Sequence, residues 1–251
     1  MSHNETSFRW WEFYVIRYGM GSVVGAVIFF FLCNTNPVLK SLLFGAEAGK
    51  IDGTLLVLLA GYGLAYCYIA SAPILVFHMG RYLLKIDNSV MPSFRRMVIL
   101  LVVPLAATIY FLICSATTGV HLWVYALIFA LSVLVFWSQF LVVFITIFKS
   151  ERLFFFYNNL AIKRSIDTIG IVDSYKHLRE HGNSFAIVVF EIVLAFILFV
   201  AGNLEFASTG IVSQSKYIYV FPYILIIFLW ILPAALVWFI GTLFERQFGD
   251  S

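Results

Sequence analysis

Apolar residues along this chain occur in long runs that are separated by short polar segments. A helix needs about 20 mostly apolar residues to cross the hydrocarbon core of a bilayer. Six runs reach that length, and they are residues 13–33, 54–78, 97–116, 121–148, 185–202 and 219–243. The pattern therefore predicts an all-α fold class: a polytopic membrane helix bundle with six transmembrane spans, in which 1–251 form a single integral membrane domain.

The composition agrees with a membrane protein and excludes an ordinary soluble domain. Of the 251 residues, 62% are hydrophobic and 12% are charged, against about 45–50% and about 25% in soluble domains. The lipid bilayer is therefore the predicted environment. Cys33, Cys67 and Cys114 each lie in or beside an apolar run. None has a Cys-x-x-Cys neighbour, so we interpret them as small packing residues and not as a disulfide or zinc framework.

Lysine and arginine are distributed unevenly between the two sides of the predicted spans. Thirteen of the 16 fall on one side, and only Lys40, Lys50 and Lys216 fall on the other. Basic residues accumulate in short cytoplasmic loops. We therefore predict that both termini are cytoplasmic, in a multi-pass protein of the plasma membrane, or of the inner membrane in a bacterium. The basic residues are scattered through several loops, which gives no case for nucleic-acid binding.

The predicted cytoplasmic loop 149–184 is the only sizeable polar segment. Its apolar residues recur every three or four positions, which predicts one amphipathic helix lying on the membrane or on a protein partner; they are Ile162, Ile166, Ile169, Val172, Tyr175 and Leu178. Gly182 is the predicted stop of that helix and Ser184 the predicted cap of the fifth span.

A short motif in the same loop has the spacing of a zinc site. His177 and His181 are four residues apart, so they share a helix face, and Glu180 would be the general base of a zinc hydrolase. No third strong ligand is expected on that side of the membrane. We therefore interpret the motif as a chance match on a solvated helix face, and predict no metal, no cofactor and no enzyme activity.

Glu191 is the acidic residue that the pattern places inside the fifth span. A carboxylate in the hydrocarbon region is costly, so it is expected to be paired, protonated or in contact with water. Ser184, Ala195 and Gly202 share its helix face, which predicts that Glu191 points into the bundle. Two partners could keep it charged: Arg17, near the cytoplasmic end of the first span, or water in a path lined by Ser132 and Gln139. The predicted orientation places Glu191 in the cytoplasmic half of the fifth span, level with these groups.

The fourth span carries a matching polar stripe. Tyr125, Ser132, Gln139 and Thr146 recur every seven residues, which places them on one helix face. Such a stripe either lines a hydrated path or forms hydrogen bonds to a neighbouring helix. The first alternative gives an intramembrane polar path that includes Glu191.

Small residues in the first span indicate a close helix contact. Gly21 and Gly25 form a Gly-x-x-x-Gly pair, which lets two helices approach within one chain or between copies. Gly61 and Ala65 form a weaker pair in the second span. From the first pair we predict a homo-oligomer.

Two classes of function are compatible with this pattern. The first is a small channel or transporter that uses the intramembrane acidic residue. The second is a non-transporting subunit, a sensor, effector or anchor of a multi-protein signalling or defence system, which would bind a cytoplasmic protein partner through 149–184. The first requires a hydrated path that contains Glu191, and the second a binding surface on the loop helix.

Overall fold

The computed structural model is helical almost throughout the residues it describes, which are 4–44, 53–84, 102, 106, 109, 122–148, 150–165, 171–208 and 220–249. Within those ranges the chain contains no strand. We number the α-helices in chain order as α1 (Asn4–Thr35), α2 (Pro37–Phe44), α3 (Gly53–Met79), α4 (Leu122–Phe148), α5 (Ser150–Ser165), α6 (Ile171–Ser208) and α7 (Phe221–Gly249). A short 3-10 helix, Gly80–Leu84, continues α3.

Five of these helices are long and apolar enough to cross a membrane. Their apolar parts are Tyr18–Thr35, Gly53–Leu83, Phe129–Phe148, Gly182–Ala201 and Phe221–Leu243. The structure thus confirms an all-helical, multi-pass membrane protein. Of the predicted third span, 97–116, only Val102, Ala106 and Ile109 are described, and each is helical; the rest lies outside the described residues.

The helix of the fifth span begins much earlier than the sequence pattern predicts. We expected Gly182 to end one helix and Ser184 to cap the next, and this prediction is wrong, because α6 continues from Ile171 through both residues. Glycine inside a helix costs only about 1 kcal/mol, which a long helix tolerates. The predicted amphipathic loop helix is therefore divided between α5 and the first part of α6, with 166–170 outside the described residues.

The chain divides into two compact units, which we treat separately. The first unit is Met1–Ser71 with His177–Phe228, and the second unit is Ala72–Lys176 with Leu229–Ser251. The division points fall within α3, α6 and α7.

In the first unit, α1 and α3 pack closely through small residues. A methyl group on Gly21 would lie 2.5 Å from Cys67 Sγ, and one on Gly25 would lie 2.6 Å from the carbonyl oxygen of Gly63. One on Gly63 would collide with the backbone oxygen of Ser22. The pairing of 21 with 67 and of 25 with 63 makes the two helices antiparallel, and it places Gly-x-x-x-Gly against Gly-x-x-x-Cys.

A capped corner joins α1 to α2 in the same unit. The Asn36 side chain accepts hydrogen bonds from the backbone N–H groups of Val38 and Leu39, both at 3.1 Å. Pro37 follows as the first helical residue, where its missing N–H and fixed backbone angle suit a helix start. The buried Asn36 amide also donates to the hydroxyl of Tyr223 at 3.1 Å, which ties this corner to the start of α7.

The second unit is built around one apolar cluster to which α3, the 3-10 helix, α4, α5 and α7 all contribute. Its buried members are Val76, Met79, Tyr82, Val143, Leu153, Ala234 and Val237. The Tyr82 hydroxyl lies 3.1 Å from Thr146 Oγ1, so the ends of α3 and α4 lie together. The Tyr157 hydroxyl donates to the carbonyl of His78 at 3.2 Å, which holds α5 on the end of α3.

Candidate functional site

The site begins with a buried stripe along α6. Ile187, Glu191, Leu194 and Leu198 recur at helical spacing and are at most 3% exposed. The exposed positions Phe185, Val189, Ile192 and Phe196 alternate with them on the other face. Because one face of the helix must pack and the other contacts lipid, the sequence of α6 fixes which way Glu191 points. It points into the first unit.

The Glu191 carboxyl group lies where α1, α3 and α6 meet. A methyl group built on Gly21 would lie 3.3 Å from Glu191 Oε1, 3.3 Å from Ile187 Cγ2 and 2.5 Å from Cys67 Sγ. The absence of a side chain at Gly21 therefore leaves room for the carboxyl group and the thiol, which both adjoin this position. The neighbouring Tyr66 of α3 is also buried and donates its hydroxyl proton to the backbone carbonyl of Glu191 at 2.8 Å.

The carboxyl oxygens of Glu191 are unusual because they are fully buried and form no hydrogen bond to the described part of the chain. The side chain is 0% exposed, and neither oxygen has a hydrogen-bond partner among the described residues. The Cys67 thiol lies close enough to interact with the carboxyl group as a weak S–H donor, but the two groups lack the full distance and angle geometry of a hydrogen bond. Buried polar groups are nearly always hydrogen-bonded, and an exception calls for an explanation.

Glu191 lies near the middle of the apolar part of α6. It is nine residues after Gly182 and ten before Ala201. Its predicted position in the cytoplasmic half of the span stays a prediction. Cys67 is similarly central, 14 residues after Gly53 and 16 before Leu83. In a helix that spans a membrane, the middle of the apolar segment is where an unpaired charge costs most.

The other residues predicted to share the Glu191 face are only partly described. Ser184 and Ala195 are partly exposed, whereas the side chains of Arg17 and Gly202 lie outside the described part of the chain. The predicted pairing of Arg17 with Glu191 therefore stays a prediction.

In the second unit, α4 carries a polar face of its own. Gln139 and Thr146, seven residues apart, are both 0% exposed. Thr146 Oγ1 donates to the carbonyl of Val142 at 2.7 Å and lies 3.1 Å from the Tyr82 hydroxyl. Neither amide atom of Gln139 has a hydrogen-bond partner among the described residues. Ser132 is partly buried, and the side chain of Tyr125 lies outside the described residues.

The histidine motif cannot be placed at the level of side chains. His177, Glu180 and His181 belong to the backbone of α6, but their side chains are outside the described set. Among the described residues, no group of three or more His, Cys, Asp and Glu side chains is arranged to hold a metal ion.

Three residues of the site are not distinguished by the sequence pattern. From the sequence we interpreted Cys67 only as a packing residue, and we assigned no role to Tyr66 or Gly63. The sequence favoured Gly61 and Ala65 in this helix, yet both are exposed and a methyl group on Gly61 would meet nothing within 4 Å. The signal that was present is Gly63-x-x-x-Cys67, a pair of small residues at the same spacing as Gly21 and Gly25.

Gly21 and Gly25 are used within the chain, against α3. The homo-oligomer that we predicted from this pair therefore needs another surface.

No protein-family model, no curated protein and no solved structure matches the chain, so the function proposed below rests on the geometry of the site.

Proposed function

We propose that this protein is a small channel or transporter for protons or small cations, with Glu191 as the group that binds them during passage. The observation that carries the proposal is a carboxyl group near the middle of an apolar helical segment that is fully buried and lacks a hydrogen-bond partner among the described residues. A glutamate with a structural role would be expected to have its oxygens paired, because unpaired ones destabilise the fold. An unpaired oxygen is instead free to bind an exchanging proton or cation.

A second unpaired polar side chain supports a transport role. Gln139 lies ten residues after Phe129 and nine before Phe148, in the middle of the described apolar part of α4. It is fully buried within the second unit, and its amide oxygen is an acceptor suited to a proton carrier, a water molecule or a cation. The path through Ser132 and Gln139 to Glu191 remains part of the proposal.

The experiment for this proposal is an ion-flux assay on the purified chain in proteoliposomes. A potassium gradient with valinomycin sets the voltage, and an internal dye reports proton entry, or sodium entry in a parallel assay. We expect voltage-driven flux from the unaltered protein. Glu191→Gln should reduce it to the level of protein-free liposomes, because the amide keeps the shape and loses the acidic group.

Glu151→Gln is the matched control for this assay. Glu151 is an exposed residue in the first turn of α5, so the same substitution removes a carboxylate outside the membrane. It should leave the flux unchanged. Equal flux from Glu191→Gln and Glu151→Gln would remove Glu191 from the transport reaction.

We also propose six spans with both termini in the cytoplasm. The ends of α3 and α4 lie together, since Tyr82 contacts Thr146. The 27 residues of α4 extend about 40 Å at 1.5 Å per residue, so its start lies on the far side of the membrane. The chain between them must therefore cross once more, and only a helix crosses lipid without unpaired backbone groups. The apolar run 97–116 is the segment suited to do so.

Single-cysteine labelling tests this topology. In a background with Cys33, Cys67 and Cys114 replaced by alanine, Lys40→Cys and Lys216→Cys should react in intact cells with a membrane-impermeant thiol reagent. Lys85→Cys and Lys163→Cys should react only after the cells are opened. Labelling of either of the latter pair in intact cells would contradict the six-span arrangement.

The non-transporting subunit remains the second candidate because α5 exposes apolar side chains. Phe155 is 63% exposed and Ile162 is 51% exposed, and their spacing of seven places them on one face. A cytoplasmic protein partner would cover such a face. An unaltered protein that gives no flux of either ion would favour this candidate over transport.

A further inference from the structure

A groove of about 550 Å³ opens at the end of the second unit, among α3, α5 and α7. This volume is within the range of small-molecule sites, about 300–1,000 Å³. Its walls are mostly apolar and include Leu75, Met79, Leu153, Phe154 and Val237. The groove is distinct from the Glu191 site, which belongs to the first unit, and it does not depend on the proposed transport function.

The position of the groove in the membrane indicates the kind of ligand. It lies where the apolar part of α3 ends at Leu83 and that of α7 ends at Leu243. Two lining residues, Leu75 and Trp238, are 45% and 68% exposed. Exposed apolar side chains on membrane helices face lipid, and tryptophan is favoured at the level of the headgroups. The groove therefore opens sideways toward the bilayer surface.

Polar groups gather on one side of this groove. The carbonyl oxygen of His78 accepts a hydrogen bond from Arg81 Nε at 3.0 Å and another from the Tyr157 hydroxyl at 3.2 Å. His78 and Tyr157 both line the groove, so Arg81 Nε lies one hydrogen bond from a residue of its wall. A guanidinium group has five N–H donors arranged to bind a phosphate, and Nε uses only one of them here.

We infer that the groove binds one acyl chain of an anionic phospholipid, whose phosphate is held by Arg81. The chain would enter between Leu75 and Trp238, and the phosphate would remain at the polar side. Because lipid tails are already in an apolar medium, specificity for the site has to come from packing and from the charged headgroup.

Gly241 offers a way to block the groove without disturbing the helices. It lines the groove, and a methyl group built on it would meet nothing within 4 Å. Gly241→Leu should therefore fill the space that the acyl chain needs. Gly61→Leu is the matched control, because Gly61 also lies in a membrane helix with nothing within 4 Å of an added methyl group.

Native mass spectrometry of the full-length protein in detergent, titrated with phosphatidylglycerol or phosphatidylcholine of the same chain length, tests the inference. We expect one phosphatidylglycerol per chain at low lipid concentration. Gly241→Leu should weaken its binding by about tenfold, since extra bulk in a packed site is strongly unfavourable. Gly61→Leu should bind as the unaltered protein does. Arg81→Gln should weaken phosphatidylglycerol by about fivefold and phosphatidylcholine less, because the choline cation of phosphatidylcholine offsets its phosphate charge.

Each remaining outcome overturns a defined part of the inference. Undiminished lipid binding by a monodisperse Gly241→Leu would exclude the groove as the site. Equal binding of the two lipids, unaffected by Arg81→Gln, would exclude the phosphate contact. A co-purified protein in place of lipid would show the wrong class of ligand. If Gly241→Leu is not monodisperse, the test rests on Arg81→Gln. Weaker binding of phosphatidylglycerol by this variant would support a specific site for an anionic lipid, and unchanged binding would exclude it.

Discussion

Leucine in place of Gly63 should prevent α1 from packing on α3 and leave little folded protein, whereas leucine in place of Gly61 should be tolerated. A methyl group on Gly63 would already collide with the backbone oxygen of Ser22 and lie 2.7 Å from the backbone nitrogen of Ala26. A side chain can relieve such a clash by changing its rotamer, but backbone atoms within a helix cannot. Overpacking typically costs about 1–3 kcal/mol for flexible surroundings, so we expect more than about 3 kcal/mol here.

The measurement is the yield of monodisperse protein and its thermal unfolding in detergent. Alanine variants give a finer comparison at the same two positions. Gly61→Ala should stabilise α3 by up to about 1 kcal/mol, because alanine is the better helix former. Gly63→Ala should destabilise the protein, so the two changes are expected to have opposite signs. Equal effects at the two positions would mean that α1 does not pack on this face of α3.

The contrast between Gly61 and Gly63 also shows what the sequence can and cannot specify. The apolar runs predict the membrane helices well, since length and hydrophobicity decide whether a segment can enter lipid. Two residues apart on a helix corresponds to a turn of about 200°, so the two glycines lie on nearly opposite faces. Which face meets α1 depends on the rotation of both helices, and no local pattern contains that information.

Helix ends are less predictable for a related reason. The sequence pattern begins the fifth span at residue 185, where its apolar run begins. The helix α6 begins earlier, at Ile171. Polar residues outside the hydrocarbon region remain helical as readily as apolar ones, because the backbone hydrogen bonds are the same.

The buried stripe on α6 is readable from the sequence, but the neighbours of Glu191 are not. Helical spacing alone points this carboxyl group toward the interior. Its proximity to Cys67 depends on the antiparallel register of α1 and α3, which sets Gly21 opposite Cys67 and Gly25 opposite Gly63. The sequence therefore predicts a costly carboxyl group inside the bundle, and the structure adds that its described neighbours leave it unpaired.

Glu191 has no hydrogen-bond partner among the described residues, which predicts that removing its acidic group should stabilise the protein. Methionine has a similar length and shape and no group that needs a hydrogen bond, so Glu191→Met should fit beside Ile187 and Gly21. Leaving a buried polar group unsatisfied costs about 1–3 kcal/mol. We therefore expect the unfolding free energy to rise by a comparable amount, with Glu191→Gln between methionine and the unaltered residue, because its amide is also unpaired.

Thermal unfolding of the three proteins in the same detergent would measure this order. Glu151→Met is the control for a change of residue type at an exposed position, and should alter stability by no more than about 0.5 kcal/mol. A gain in stability together with a loss of flux would mean that Glu191 weakens the fold and is needed for transport, the usual trade-off at a functional site. A clear loss of stability in Glu191→Met would instead mean that the carboxyl group is bonded within the folded protein, and the structural role would then be the better explanation of its position.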